Sequence, residues 1–269
     1  MKVDVIDKHY DVELINEPFS VCMTVLNESS TIIAFLSTLM RAQLLQPCEV
    51  VIVDGGSTDD TCDKIEEFDD CRINLIKASG SSIAVGRNVA SRAASYDIHV
   101  TVDAGTLLDP LFLVNLLGPM YDLIDAPDLT AGIYLAIKST IWSKYFIPSW
   151  RDIDNLVNRF LPSCRCSAFR RSLFDEVGGF EENTKQKWGE DTLFMLKAKQ
   201  ASEHWVINRA ARVHWHAPTN LEEAKRLAYC YGMGNGEIGY DVKPPVTKDP
   251  IMLAVLEGFI KGQQLRAMR

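Results

Sequence analysis

The sequence predicts an α/β fold built on a largely parallel sheet flanked by helices, with a mixed second half. Three observations carry that prediction. Through about the first 120 residues, short runs rich in valine and isoleucine alternate with amphipathic stretches. This is the rhythm of consecutive β-α-β units with right-handed crossovers. The run Val50-Val51-Ile52-Val53 is apolar at every position, as expected of a strand covered on both faces. That run stops at Asp54 and turns through Gly55-Gly56-Ser57-Thr58, a corner in which the hydroxyls can cap a following helix.

Taken in order, residues 19–26 read as the first strand, and residues 30–43 as a helix with Ile32, Leu36, Leu39 and Met40 on one face. Residues 49–54 are the second strand and 58–68 a helix. A third strand spans 72–78, followed by a helix over about 84–95 and a fourth strand over 98–103. Pro110 opens another helix, at a position where its missing N–H costs little. After Pro127 the rhythm changes. Residues 129–137 are strand-like, and 138–160 are aromatic, basic and poorly periodic. A helix within 166–180 ends at Gly178-Gly179, 190–202 is helical, 204–216 strand-like and 221–231 helical. The tail carries Gly232, Gly234, Gly236 and Gly239, then Pro244-Pro245, then an amphipathic helix from about Pro250. This last helix is expected to pack on the domain, with a second subunit or a membrane surface as alternatives. No repeat or low-complexity linker divides the chain, so one domain over residues 1–269 is expected.

Composition narrows the classes. The net charge is −8, from 28 basic and 36 acidic residues, which argues against a sequence-independent nucleic-acid binder. Arg165, Arg170 and Arg171 form a local basic cluster, enough for a site and too little for a polyanion track. No apolar run reaches the roughly 20 residues needed to span a bilayer. The start, Met1-Lys2-Val3-Asp4-Val5-Ile6-Asp7, is too charged for a secretory signal. Seven cysteines are scattered without a CxxC pair; Cys22 and Cys48 fall in apolar patterns and are expected in the core. These features point to a reducing, cytoplasmic compartment, with contact at the membrane surface left open.

Five constellations carry chemistry. Asp54 lies at the carboxyl end of its strand, the edge where open α/β sheets bind ligands, and Gly55 and Gly56 allow close backbone approach. Val100-Thr101-Val102-Asp103 repeats the arrangement, placing a second carboxylate on the same edge. Two such carboxylates suit a hard divalent cation such as Mg2+ or Mn2+, although Asp103 can equally cap its own turn. Gly80-Ser81-Ser82 runs into a helix presenting Arg87, an anion site made of free N–H groups and a guanidinium. In Trp188-Gly189-Glu190-Asp191, two acids open a helix, as the dipole favours; beside a cleft, one of them can act as general base for a hydroxyl. In Val213-His214-Trp215-His216, the histidines share one face of a strand and can supply a metal ligand.

The motifs Thr24-Val25-Leu26-Asn27-Glu28, 50–61, Gly86-Arg87-Asn88, Asp103-Ala104-Gly105, Gly178-Gly179-Phe180 and Gly189-Glu190-Asp191 occur in that order. In this order they resemble the family 2 glycosyltransferases, over roughly residues 19–240. The resemblance implies a GT-A fold with a Rossmann-like sheet, in which about 19–127 bind a nucleotide-diphosphate sugar, about 128–240 bind the acceptor, and about 241–269 form a tail helix. It implies that Thr24, Glu28, Asp54, Gly56, Arg87, Asn88 and Asp103 bind the donor. It further implies that Glu190 and Asp191 form the catalytic pair of an inverting enzyme, with Asp191 as base. Asp103 then answers the first acid of the DxD metal motif, and His214 or His216 completes the shell around Mn2+ or Mg2+. The chain departs from the motif at Gly105, which removes one anionic ligand. Trp188, Trp142 and Trp150 offer aromatic faces to a saccharide, glycolipid or other hydroxyl acceptor. The rivals are an inactive protein of the same fold, and a nucleotidyltransferase; Asn27-Glu28-Ser29-Ser30 stands where the latter would carry a glycine- and arginine-rich loop.

Overall fold

A computed structural model describes residues 2–122, 124–137, 162–183, 189–239 and 250–267. Its strands are β1 (Lys2–Ile6), β2 (Phe19–Val25), β3 (Glu49–Asp54), β4 (Ile73–Lys77), β5 (Ile98–Thr101), β6 (Thr106–Leu108), β7 (Leu129–Ile137), β8 (Ser167–Arg170) and β9 (His204–His216). The helices of the first half are α1 (Ile32–Met40), α2 (Thr61–Glu67), α3 (Ile83–Ala93), α4 (Phe112–Leu117) and α5 (Pro119–Asp122). Those of the second are α6 (Arg171–Val177), α7 (Glu190–Ala201), α8 (Leu221–Ile238) and α9 (Pro250–Ala267).

The described strands form one sheet in the order β1-β9-β7-β8-β5-β2-β3-β4, with β6 paired to β9. β5, β2, β3 and β4 run parallel, and β8 enters antiparallel between β5 and β7. The two-sided burial expected of β3 holds. Val50 and Ile52 join the core with Phe35, Leu36, Leu39 and Phe112, while Val51 and Val53 pack with Cys22 and Ala90 on the other face. A second core of Phe169, Phe174, Phe180, Phe194 and Trp205 supports the other end of the sheet.

Four features differ from the sequence expectation. β8 is a four-residue strand inside what reads as a helical stretch, too short to show a period. β1 adds an edge strand beside β9. Cys48 is exposed, because it precedes β3 at the amino-terminal edge of the sheet. Finally, α8 runs on through Gly232, Gly234 and Gly236 to Ile238. Those glycines serve a close helix pair: a Cβ at Gly232 would lie 2.0 Å from the Val255 carbonyl oxygen, and one at Gly236 2.1 Å from that of Phe259. On α9, Gly258 and Gly262 meet the α8 backbone in the same way. The tail helix therefore packs on α8.

Candidate active site

β2 and β3 end level, with Val25 opposite Asp54, and Asp103 follows β5 on the same edge of the sheet. Loops leaving these strands surround a cleft of about 300 Å³. Thr24, Val25, Leu26, Glu28, Val53, Gly55, Ser81, Ser82, Ile83, Arg87, Asp103 and Ala104 line it. Four residues expected to bind the donor are therefore together: Thr24, Glu28, Arg87 and Asp103. Two strand-to-helix corners are joined across the cleft's rim. Asn27 N–H donates to Ser57 Oγ at 2.8 Å, and Asn27 Oδ1 accepts from Thr58 N–H at 2.9 Å. Glu28 N–H donates to Thr61 Oγ1 at 2.8 Å. The hydroxyls of Ser57 and Thr58 thus bind neighbouring loops, and α2 starts only at Thr61.

Asp54 and Asn88 turn elsewhere. Asp54 is buried and accepts from Gly56 N–H at 3.0 Å, Ser57 N–H at 3.1 Å and Ser57 Oγ at 2.5 Å. It fixes its own corner, leaving Gly55 to face the cleft, and Gly56 answers Asp54 from within the same turn. Asn88 clamps the Gly178-Gly179-Phe180 turn: its Nδ2 donates to the Phe180 carbonyl at 2.8 Å, and its Oδ1 accepts from Phe180 N–H at 2.8 Å. Gly86 lets α3 lie against β2, since a Cβ there would stand 2.6 Å from Thr24 Cγ2. Helix α3 is capped by Ser82, whose Oγ accepts from Val85 N–H at 3.3 Å.

A charged network crosses the site. Arg87, almost wholly buried, donates through Nη1 to Glu190 and through Nη2 to Asp103 Oδ1 at 3.0 Å. Arg165 takes the other oxygen, with Nε 3.2 Å from Asp103 Oδ2. Burial opposes the charge on Arg87, but Cys164, Glu190, Asp103 and Asp191 together hold its pKa above the ordinary value. Burial pushes the Glu190 carboxyl up, and Asp191 adds to that push while Arg87 opposes it. Of the two acids opening α7, Glu190 is buried and paired, and Asp191 is only partly buried. One Asp191 oxygen accepts from Thr192 N–H at 2.8 Å.

The donors expected for a metal do not converge. Asp103 has both oxygens on guanidinium groups. His214 Nε2 lies 2.9 Å from Asp109 Oδ1, and His216 is exposed. Between them, Trp215 points the other way, 5.2 Å from the Arg165 guanidinium. Gly105 has φ +77°, a backbone that disfavours an acid, and a Cβ there would sit 3.4 Å from Glu28 Oε2. Among the described residues, no three His, Cys, Asp or Glu side chains gather to hold a metal ion. As they are paired, the described residues do not fit a resident metal. Trp188, Trp142 and Trp150 lie outside the described residues. Sequence reasoning missed Arg165 and its supports Tyr134, Trp215 and Tyr231; the basic cluster at 165–171 was the one available signal. Among the described residues, no helix is long and apolar enough to cross a membrane.

Known proteins match this chain in sequence and in fold. The family model described as glycosyl transferase family 2 matches residues 20–178. The validoxylamine A glucosyltransferase of Streptomyces hygroscopicus subsp. jinggangensis (strain 5008) is 32% identical over 103 residues, 37% of this chain and 24% of that protein. The match thus spans about a quarter of that relative's length. A mannosyltransferase from Pyrobaculum calidifontis, solved with GDP-Man and Mn2+, superposes with a TM-score of 0.65 at 20% identity, over 94% of this chain and 75% of that one. S. aureus TarS, solved with UDP-GlcNAc, gives 0.63 at 17% identity, over 93% and 83%. Glucosyl-3-phosphoglycerate synthase from Mycobacterium tuberculosis gives 0.63 at 16%, over 90% and 89%. At these identities the solved structures speak to the fold: a mostly parallel sheet flanked by helices, of the GT-A type.

Proposed function

This chain belongs to glycosyl transferase family 2, and we propose that it moves a sugar, with inversion, from a nucleotide-diphosphate donor to an acceptor hydroxyl. The observation that carries the reading is the salt-bridge chain from Asp103 through Arg87 to Glu190. It ties the cleft at the carboxyl edge of β2 and β3 to the acids that open α7, residues far apart in sequence. Thr24, Glu28 and Gly55 line the part of the cleft that takes the nucleoside, and Arg87 and Asp103 lie where the diphosphate emerges. We assign the donor to about residues 19–127, the acceptor to about 128–240, and a packing role to the tail helix of about 241–269.

Each residue then has one task. Asp191 takes the proton as the acceptor oxygen attacks the anomeric carbon. The bond from that carbon to the diphosphate breaks, and its electron pair leaves on the phosphate oxygen. Glu190 holds Arg87 in place, and Arg87 meets charge at the leaving group through N–H donors that are already oriented. Asp103 and His214 face other partners and His216 is exposed, so no step passes through the Mn2+ or Mg2+ expected there.

Release of nucleoside diphosphate from a panel of nucleotide sugars tests the activity, and transfer by Asp191→Asn tests the base. Loss of a general base lowers the rate by about 10²- to 10⁴-fold. Transfer by Asp191→Asn at the wild-type rate removes Asp191 from the role.

A further inference from the structure

Arg165 is held in a way that surface arginines are not. Its Nε lies 3.2 Å from Asp103 Oδ2, and its Nη2 donates to the Tyr231 hydroxyl at 3.1 Å. The guanidinium carbon stands 5.4 Å from the Tyr134 ring centroid and 5.2 Å from that of Trp215. Two aromatic rings and a phenol fix a planar cation whose fork geometry matches pairs of phosphate oxygens. Among the described residues, Tyr231 takes one of its five N–H donors and Asp103 pairs with its charge, so the group can give further hydrogen bonds without leaving its seat. It reaches Asp103 from the segment before β8, while Arg87 reaches the same carboxylate from α3. The arrangement puts two fixed positive charges on a carboxylate that lacks the second acid of a metal motif.

We propose that Arg165, together with Arg87, supplies the positive charge for the departing nucleoside diphosphate, in the place a divalent cation would take. The inference rests on the glycosyltransferase reading above and adds the residue that meets the leaving group. When the anomeric carbon–oxygen bond breaks, the electron pair stays on the terminal phosphate oxygen of the diphosphate. The guanidinium N–H donors stabilise that charge, and the acceptor's proton goes to Asp191. Arg165 gives up no proton in this step, because a guanidinium stays charged. A second consequence concerns selectivity. Arg165 acts on the phosphate farther from the nucleoside, so nucleoside monophosphate binding should not depend on it.

The test is calorimetric titration of the protein with the uridine, guanosine, adenosine and thymidine diphosphates and their monophosphates, in excess EDTA and in excess MnCl2. The wild type should bind its preferred diphosphate with similar affinity in both buffers. Arg165→Gln should weaken that diphosphate by about 10- to 100-fold, the loss of a charge-assisted contact, and leave the monophosphate unchanged. Arg165→Lys, which keeps the charge and loses the fork, should fall between. If Arg165→Gln fails to fold, the wild-type comparison between buffers and the Arg165→Lys titration still decide the question. Diphosphate binding more than about tenfold tighter with Mn2+ than in EDTA overturns the inference and leaves the glycosyltransferase reading standing. Equal weakening of mono- and diphosphate by Arg165→Gln overturns it too. If no nucleotide binds in either buffer, the glycosyltransferase reading itself fails, and this inference fails with it.

Discussion

Replacing Arg87 by methionine keeps much of the apolar stem and removes the charge that joins Asp103 to Glu190. Both side chains of the Arg87–Glu190 pair are 8% exposed. Removing one partner of a buried pair strands the other charge and costs about 3–5 kcal/mol. Asp103 adds less, since its side chain is 33% exposed and Arg165 remains beside it. Against a typical domain stability of about 5–15 kcal/mol, the loss is large. The double variant Arg87→Met/Glu190→Gln leaves no charge stranded, so most of the loss should return, with a remainder of about 1–2 kcal/mol. The effect also carries a pH signature. Glu190 already titrates above the ordinary carboxylate value of 4.5, and losing Arg87 moves it further up. Folding then favours the protonated acid, so stability of Arg87→Met falls as pH rises through the unfolded value and upward. Urea denaturation followed by circular dichroism, in mildly acidic and mildly alkaline buffer, measures all of this. A deficit below about 1 kcal/mol, the size of an exposed pair, refutes the argument. So does a double variant no more stable than the single one.

Four other outcomes are expected. His99, packed against Phe169 and Phe174, is held by burial at a pKa of about 4 against 6.5. It therefore contributes stability that is present above pH 6.5 and lost as pH falls toward 4, about 3 kcal/mol in all; His99→Gln should flatten that slope in urea titrations. Gly86→Ala should destabilise by about 1–3 kcal/mol, because its methyl meets the branched Thr24 side chain rather than open space; an unchanged melting temperature would contradict the close approach of α3 to β2. Gly236→Ala gains about 1 kcal/mol of helix propensity, yet its Cβ meets the Phe259 backbone, so thermal melting should show a net loss. Native thiol titration should label exposed Cys48 and Cys71 quickly, and Cys22, Cys164 and Cys166 only on unfolding.

The central sheet was legible because its physics is local. Val50-Val51-Ile52-Val53 announces two-sided burial by composition, and Asp54 with its glycines announces the turn. The strand at 129–137 and the long one at 204–216 appear in the structure with the same bounds. What escaped was decided by partners distant in sequence. Ser167–Arg170 is a strand because β5 and β7 leave a gap it fills, and four residues carry no period of their own. The glycines of α8 read as a broken tail, since glycine weakens a lone helix. Facing α9, the same residues are what allow two backbones to touch. Cys48 looked buried because it adjoins an apolar strand, but adjacency in sequence does not place a residue within the layers.

The site divides along the same line. A carboxylate at the end of a strand is visible in sequence, so Asp103 could be marked as a ligand group; what it binds could not. The DxD resemblance directs attention to metal donors, and the two histidines around Trp215 fit that search by type. Strand alternation then works against it: whatever face Trp215 shares with Arg165, His214 and His216 must leave. The pairing of His214 with Asp109 is the consequence. A divalent ion added at Asp103 would face two guanidiniums, and at about 4 Å each would repel it by roughly 8 kcal/mol at the effective dielectric of 20 typical near a protein surface. The Asp103 carboxylate and an anionic donor attract the ion in turn, so the two guanidiniums weaken a metal site there and do not forbid one. The chain that carries Gly105 where the motif has a second acid also places two cations around Asp103. Those two features agree with the proposal that arginine supplies the charge the diphosphate needs.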